Sequence, residues 1–404
     1  MNANEEPGHK LAKAAHDLIG QARFDLAWRA VELAIEVTPG FANSYALKAH
    51  LLERRGEFDA ALGLWREAAR LEPASAGHRF NLALALLCAG EFAEGFALQD
   101  ARLEKADWNS IAAQGSFAGL RHYVPRPRDS LAGKRVLAFT EQGLGDMLWA
   151  ARYLPALAAR CGRLDLACPP SLRPLLEARV GGEVLGPPAE TPGAKLNMAA
   201  LAGAYDALVP MMSLPHLLGD PLGESAGEAP WLRPDAAAVA AWRERYAALP
   251  GAGPVVGVVW RANPASGTAA VRSLPPGVLA GMAGMAGMRV VNLQGGAAEG
   301  RDAMSAALPG VFDPLAAGDV ALDAYAAMVA ATDLLISVDT MAAHLAGSMG
   351  HPVWVAVPGV PSFYMGQAGA VSPWYPTMRL FRQAPGEEGW EGVGRAIVGA
   401  LRGR

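Results

Sequence analysis

The chemistry-bearing residues of this chain gather where short apolar runs end. In DLLISVDTMAAHLAGSMGHPVWVAVP, Asp339 and Thr340 follow the run LLISV and precede a stretch of helical composition. Thr340 is placed to cap that helix. The backbone N–H groups of Met341, Ala342 and Ala343 would then face a crevice where the helix dipole favours an anion. Such a tip would take a phosphate or diphosphate; the alternative is a plain helix cap with no ligand. His344, inside the same helix, is expected to be a buried histidine bonded to backbone, with a ligand contact as the other reading. A second concentration is EQGLGDMLW, where Gly143 and Gly145 let the backbone turn tightly and approach a ligand. Asp146 can cap the helix that follows while its carboxylate projects into the crevice. The loop RANPASGTAAVRSLPP adds two cations, Arg261 and Arg272, the first either a phosphate contact or solvent-facing.

Several function classes fall away on composition. A chain of 404 residues fits two or three domains. Its net charge of −4 gives no global basic field, which disfavours duplex nucleic acid as a partner. Cys88, Cys161 and Cys168 are odd in number and lack metal-ligand spacing, which suits a reducing cytosol and a packing role. The opening MNANEEPGHK is unlike a signal peptide, and no apolar run is long enough to span a bilayer, so a soluble, cytoplasmic protein is expected. EQGLGD is not G-x-G-x-x-G, and no acidic residue stands at dinucleotide-ribose distance, which disfavours a dehydrogenase.

The elements that must hold these residues follow an α/β alternation. After the connector RHYVPRPRDS come the strand RVLAF, the glycine turn and the helix MLWAARYLPALAAR. The shorter strand candidates LDLAC, EVLG and DALVP are separated by helical LRPLLEAR and LNMAALAG, and MMSLPHLLG reads as a loop and helix start. A helical piece and a Pro-Gly turn then close a domain. PVVGVVW opens a second one, which continues through MRVVNLQGG, a helix after Glu299 and the LLISV and VWVAV strands of a parallel βαβ unit. In such sheets ligands sit beyond the carboxyl ends of the strands.

Before Lys134 the pattern is all-helical and repeats. Ala15, Ala49 and Ala83 align, as do Leu18, Leu52 and Leu86, then Phe24, Phe58 and Phe92, with Gly56 matching Gly90 and Pro39 matching Pro73. The spacing of 34 residues and the residue types resemble tetratricopeptide repeats from Lys10 to Asp107, the third repeat decaying where Asp107 replaces the expected proline. Such arrays imply a protein partner bound in a concave groove, for which Asn43, Lys48, Arg79 and Asn81 are candidates. A dimerisation or packing module is the alternative.

The two α/β domains resemble heptosyltransferase-type GT-B glycosyltransferases fused behind such repeats. The resemblance rests on EQGLGDMLWAARYLP, MMSLPHLLG, VVGVVW with Asn263 and Pro264, Arg272-Ser273-Leu274-Pro275, VVNLQGG, DLLISVDTMAAHLAG and SPWYPTMRLFRQ, in that order between Lys134 and Gln383. It implies an α plus α/β chain: a repeat solenoid over 1–115, then two Rossmann-like domains in GT-B arrangement over 116–250 (acceptor side) and 251–385 (donor nucleotide), and a closing helix over 386–404 that crosses back onto the first domain. A similar layout in O-linked N-acetylglucosamine transferases and bacterial flagellin glycosyltransferases implies sugar transfer from a nucleotide sugar to a protein side chain, with flagellin the leading acceptor. An inactive GT-B scaffold whose repeats bind a partner, or transfer to a non-protein glycan, stays open.

Carried over residue by residue, the resemblance makes the helix start after Asp339 and Thr340, with Met341 and Ala342, the donor-diphosphate tip and Arg272 its clamping cation, while Asp339 would meet sugar hydroxyls or help position the donor. A leaving phosphate develops charge that fixed N–H dipoles and a guanidinium stabilise. Gln294 and Glu299 stand where the family contacts the nucleoside ribose, His344 lies in the donor segment, and Gly143, Gly145 and Arg261 line the cleft loops. Asp146 corresponds to the general base for the acceptor hydroxyl, a plain helix cap being its alternative. The chain contains no D-x-D, in keeping with GT-B enzymes that need neither metal nor cofactor. Two places depart from the family pattern: ASGTAAV replaces a histidine- and asparagine-bearing loop, and PGVPSFYMGQAGAV intervenes before SPWYP.

Overall fold

The computed structural model describes residues 7–105, 113–114, 118–186, 196–197, 201, 203–220, 230–282, 285, 287–296, 298–387 and 389–403. It divides into two compact units.

The first unit holds six antiparallel helices, α1 (Pro7–Gly20), α2 (Phe24–Val37), α3 (Ala42–Arg54), α4 (Phe58–Leu71), α5 (Ala76–Ala89) and α6 (Phe92–Gln99). Ala15, Ala49 and Ala83 are fully buried, because only a methyl side chain fits where paired helices cross. Gly90 ends α5 in the left-handed conformation at φ 86°, freeing the chain to reverse into α6. Ala49, Leu52, Ala61, Trp65, Leu82 and Leu86 form one shared core across the repeats. The third repeat is cut short: α6 has 8 residues and passes into a 3-10 turn, Asp100–Glu104. Asp107 lies outside the described residues. Two segments distant in sequence complete this unit, Gly359–Ala368 and Ala384–Gly386. The Gln367 N–H donates to the Cys88 carbonyl at 3.0 Å, and Phe363 meets Phe96 edge-on with centroids 6.1 Å apart.

The concave side of the repeats contains a cavity of about 770 Å³ lined by Asn43, Leu47, His50, Trp65, Asn81 and Val360 among others. Two expected groove residues lie elsewhere. Lys48 pairs with Glu32 at 3.2 Å and Arg79 pairs with Glu104, so both cations are spent on neighbouring helices.

The second unit contains two parallel sheets and a two-residue pairing of β1 (Ala113–Gln114) with β5 (Leu196–Asn197). One sheet takes β2 (Arg135–Phe139), β3 (Arg163–Ala167), β4 (Val184–Leu185) and β6 (Ala207–Pro210) in the order β4-β3-β2-β6. The other takes β7 (Val255–Val259), β8 (Arg289–Asn292), β9 (Leu334–Val338), β10 (Val353–Val357) and β11 (Met378–Arg382) in the order β11-β10-β9-β7-β8. β7, β9 and β10 are buried at every position, the state of strands covered on both faces, and their unbroken valine-rich runs are its sequence trace. Strand order reverses direction of growth around β2 and around β7 and β9, which opens a crevice at the carboxyl ends.

Two expectations are corrected. LNMAALAG is not helical at its start, since Leu196 and Asn197 pair as strand β5, where a short edge contact outweighs helix propensity. The terminal helix Glu391–Arg402 does not cross back. Trp390, Val393, Ile397 and Leu401 close the core of the five-stranded sheet together with Leu279 and Phe381. Among the described residues no helix is long and apolar enough to cross a membrane.

Candidate active site

One wall of the candidate site is built where β9 ends. Thr340 has extended backbone at the N-cap position of the helix Met341–Ser348, yet its hydroxyl turns back, donating to the Val338 carbonyl at 3.3 Å and meeting Ser337 Oγ at 3.2 Å. The cap site is therefore not filled by its own side chain. The Ala343 N–H bonds the Thr340 carbonyl at 3.1 Å. This leaves the N–H groups of Met341 and Ala342 without a partner among the described residues, two rather than the expected three.

Arg272 ends a one-turn helix, Ala269–Arg272, inside the segment expected to be loop. Its Nη1 donates to the Asp339 carbonyl at 3.0 Å and its Nη2 to Ser266 Oγ at 2.9 Å, while Nε is buried with no partner. Asp339 is 4% exposed, and its carboxylate lies between Arg272, at 4.0 Å, and His344 Nε2, at 3.5 Å. Ser273 fastens the loop, its Oγ donating to the Ala269 carbonyl and accepting from the Ala262 N–H.

Gln294 reaches the same edge but is committed to backbone. Its Oε1 accepts from the N–H groups of Trp260, at 3.2 Å, and Arg261, at 2.8 Å, and its Nε2 donates to the Gly295 carbonyl. It shapes the loop after β7. The side chain of Arg261 is half-buried and makes no hydrogen bond among the described residues. The side chain of Glu299 lies outside the described residues.

The opposite wall begins after β2. The positive-φ residue of this turn is Gln142, at φ 61°, whereas Gly143 sits at φ −83° as N-cap of helix α7 (Leu144–Ala150). Glycine is thus not needed for the turn itself. Gly145 serves a close approach: a Cβ there would stand 2.7 Å from His344 Cδ2 and 3.4 Å from Met341 Cα, so α7 packs directly on the helix Met341–Ser348. Asp146, third in α7, accepts the Gly143 N–H on Oδ2 at 2.8 Å. It caps the helix from within, since glycine at the N-cap has no side chain to return the bond.

His344 is 3% exposed and is bonded not to backbone but to a side chain, with Nδ1 2.9 Å from the Tyr375 hydroxyl. Burial pushes the Tyr375 phenol well up, so it stays protonated. Behind it, Arg152 donates to the carbonyls of Trp149 and Trp374, both at 3.2 Å, with its guanidinium 4.0 Å from the Trp231 ring centroid. Tyr153 beside it is fully buried, and burial raises its phenol too. These residues join the first sheet's helix to the segment before β11.

Sequence reasoning missed three residues. Ser266 anchors the guanidinium of Arg272, Tyr375 holds His344, and the fully buried Glu141 accepts the Met212 N–H at 3.2 Å, fixing the loop after β6. Only Glu141 carried a signal, a carboxylate at the end of an apolar strand. Among the described residues no group of three His, Cys, Asp or Glu could hold a metal ion.

No family model matches the sequence. The chain is 30% identical over 365 residues to protein FlbA of Caulobacter vibrioides, a match that takes in 86% of this chain and 59% of that protein, so the chain spans about three-fifths of its relative's length. Among solved structures it is similar to a glycosyl transferase family 9 protein from Veillonella parvula, with TM-score 0.50 and 12% identity over 69% of this chain and 98% of that one. A weaker likeness is to the E. coli ADP-heptose lipopolysaccharide heptosyltransferase II, with TM-score 0.44 and 17% identity over 67% and 98% of the two chains. The second unit therefore has the GT-B glycosyltransferase fold, and this chain joins it to a helical repeat array.

Proposed function

We propose that the chain transfers a sugar from a nucleotide-sugar donor to a protein, with flagellin as the leading acceptor, in the cytoplasm and without a metal ion. The observation that carries this reading is the guanidinium of Arg272 fixed on the Asp339 carbonyl beside two unpartnered helix N–H groups. Arg272 and the amides of Met341 and Ala342 bind the donor phosphates and take up the charge that grows as the bond from the sugar carbon to phosphate oxygen breaks. Asp146, on the facing helix, removes the proton from the acceptor hydroxyl as its oxygen bonds the sugar carbon. The proton ends on Asp146 and returns to water, and the nucleotide leaves as an anion. Asn43 and Asn81, lining the repeat cavity, offer amides for a protein segment.

The test uses the full chain. It is supplied with a panel of nucleotide sugars and co-expressed with candidate acceptors, flagellin first, whose intact masses are then measured. A mass increment that disappears in Asp146→Asn and Arg272→Ala is the expected result. The reading is wrong if no nucleotide or nucleotide sugar binds and no acceptor gains mass.

A further inference from the structure

Behind the donor wall, a line of polar groups runs through a fully packed region. It begins at the hydroxyl of Tyr375, passes the imidazole of His344 and reaches the carboxylate of Asp339, whose own carbonyl receives Arg272. Tyr375 is fully buried, His344 is 3% exposed and Asp339 4% exposed. Burying so many polar groups costs free energy unless each is satisfied, and a phenylalanine at 375 with an apolar residue at 344 would fill the same space without that cost.

The pair is held on both sides by glycines. A Cβ on Gly145 would stand 2.7 Å from His344 Cδ2, and one on Gly347 would stand 2.5 Å from Tyr375 Cδ1, so each ring packs directly against glycine backbone. The Tyr375 ring is also stacked on Trp231 with centroids 5.7 Å apart. Direction along the line follows from donor capacity. The carboxylate of Asp339 accepts, so the imidazole nitrogen 3.5 Å from it, Nε2, carries a proton, and the phenol of Tyr375 is left to donate to His344 Nδ1. An imidazole that accepts on Nδ1 carries its proton on Nε2, and Nε2 faces Asp339 Oδ1.

We propose that Tyr375 and His344 are positioning residues: they fix one imidazole tautomer, which orients Asp339 and through it the guanidinium of Arg272 toward the amide tip at Met341. This inference rests on the donor-phosphate reading of that tip for its consequence, but the relay itself is observable without any ligand. Tyr375 lies 36 residues beyond Asp339 in the chain, and its hydroxyl bonds His344.

Two measurements on the full chain test it. The first is the ¹⁵N spectrum of histidine-labelled protein without ligand, with the His344 signals assigned by their loss in His344→Gln. The Nε2–H tautomer is expected in wild type and a mixture in Tyr375→Phe; a mixture in wild type, or an unchanged spectrum in Tyr375→Phe, overturns the relay. The second is calorimetric titration with ADP, UDP, GDP and CDP. For whichever binds, Tyr375→Phe is expected to weaken affinity about tenfold while the melting temperature stays within a few degrees. The double variant with His344→Gln should be no weaker than His344→Gln alone, as expected for residues acting in series. Unaltered affinity in Tyr375→Phe, or additive losses in the double variant, overturns the positioning role. If wild type binds none of the four nucleotides, the donor reading and this role fail together, and the spectrum alone decides whether the relay exists.

Discussion

Arg272 donates to the main-chain carbonyl of Asp339 at 3.0 Å while Ser266 holds its other terminal nitrogen at 2.9 Å. Both hydrogen bonds go to neutral acceptors, with the Asp339 carboxylate further off at 4.0 Å, which leaves the guanidinium able to meet an anion. Arg272→Ala is expected to weaken nucleoside diphosphate binding by roughly 10- to 100-fold, the range for a hydrogen bond to a charged group at about 1.5–3 kcal/mol. Arg272→Lys should recover only part of this, since one ammonium cannot reproduce the planar fork. Calorimetric titration checks both.

The proposed base role of Asp146 is separable from its structural one. By accepting the Gly143 N–H it supports the turn into α7, and its removal in Asp146→Ala should cost about 0.5–2 kcal/mol of stability. Asp146→Asn keeps an oxygen for that N–H but cannot take a proton. Transfer should fall by roughly 10²- to 10⁴-fold in both variants, with the melting temperature lowered mainly in the alanine one. Equal transfer by Asp146→Asn and wild type would assign the residue to capping alone.

Gly347 stands so close to the Tyr375 ring that an added methyl must displace it. Gly347→Ala is therefore expected to destabilise the chain by about 1–3 kcal/mol, although alanine is the better helix former. Denaturant unfolding gives the figure, and a stabilised variant would contradict the packing described.

Burial holds the His351 imidazole down to about 4 from its ordinary 6.5, with the Thr332 hydroxyl 3.0 Å from Nε2. The unfolded chain takes up this proton more readily than the folded one. Above about pH 6.5 the residue is neutral in both states and adds nothing to the pH dependence. From there towards pH 4 it removes stability, about 2.5 kcal/mol by pH 4.5 at 1.36 kcal/mol per unit. His351→Gln should show a shallower acid limb over this window in unfolding measured at pH 7 and pH 4.5, and a parallel limb would rule the contribution out.

The parts of this molecule legible in its sequence are those set by local periodicity. Ala49 and Phe58 recur a repeat apart because each repeat meets its neighbour in the same way, and LLISV and VWVAV are unbroken because both faces of β9 and β10 are covered. The helix start after Asp339 was legible for the same reason, since a strand end and a helix start are local events. Tyr375 was not: its partner is 31 positions away, and nothing in SPWYP distinguishes a packing tyrosine from one bonded to an imidazole. Gln142 was hidden by the glycines that follow it, which drew the turn to themselves.

The segment Gly359–Ala368 leaves β10 and belongs with the repeats, as does Ala384–Gly386 after β11. The first unit is consequently unfinished when its helices emerge from the ribosome, and its last pieces arrive only after most of the second has been translated. The repeats cannot be excised as a detachable cassette, because Phe363 and Tyr364, now buried, would lose the surface they fold against. Exchanging such an array means replacing Gly359–Ala368 and Ala384–Gly386 together with the helices.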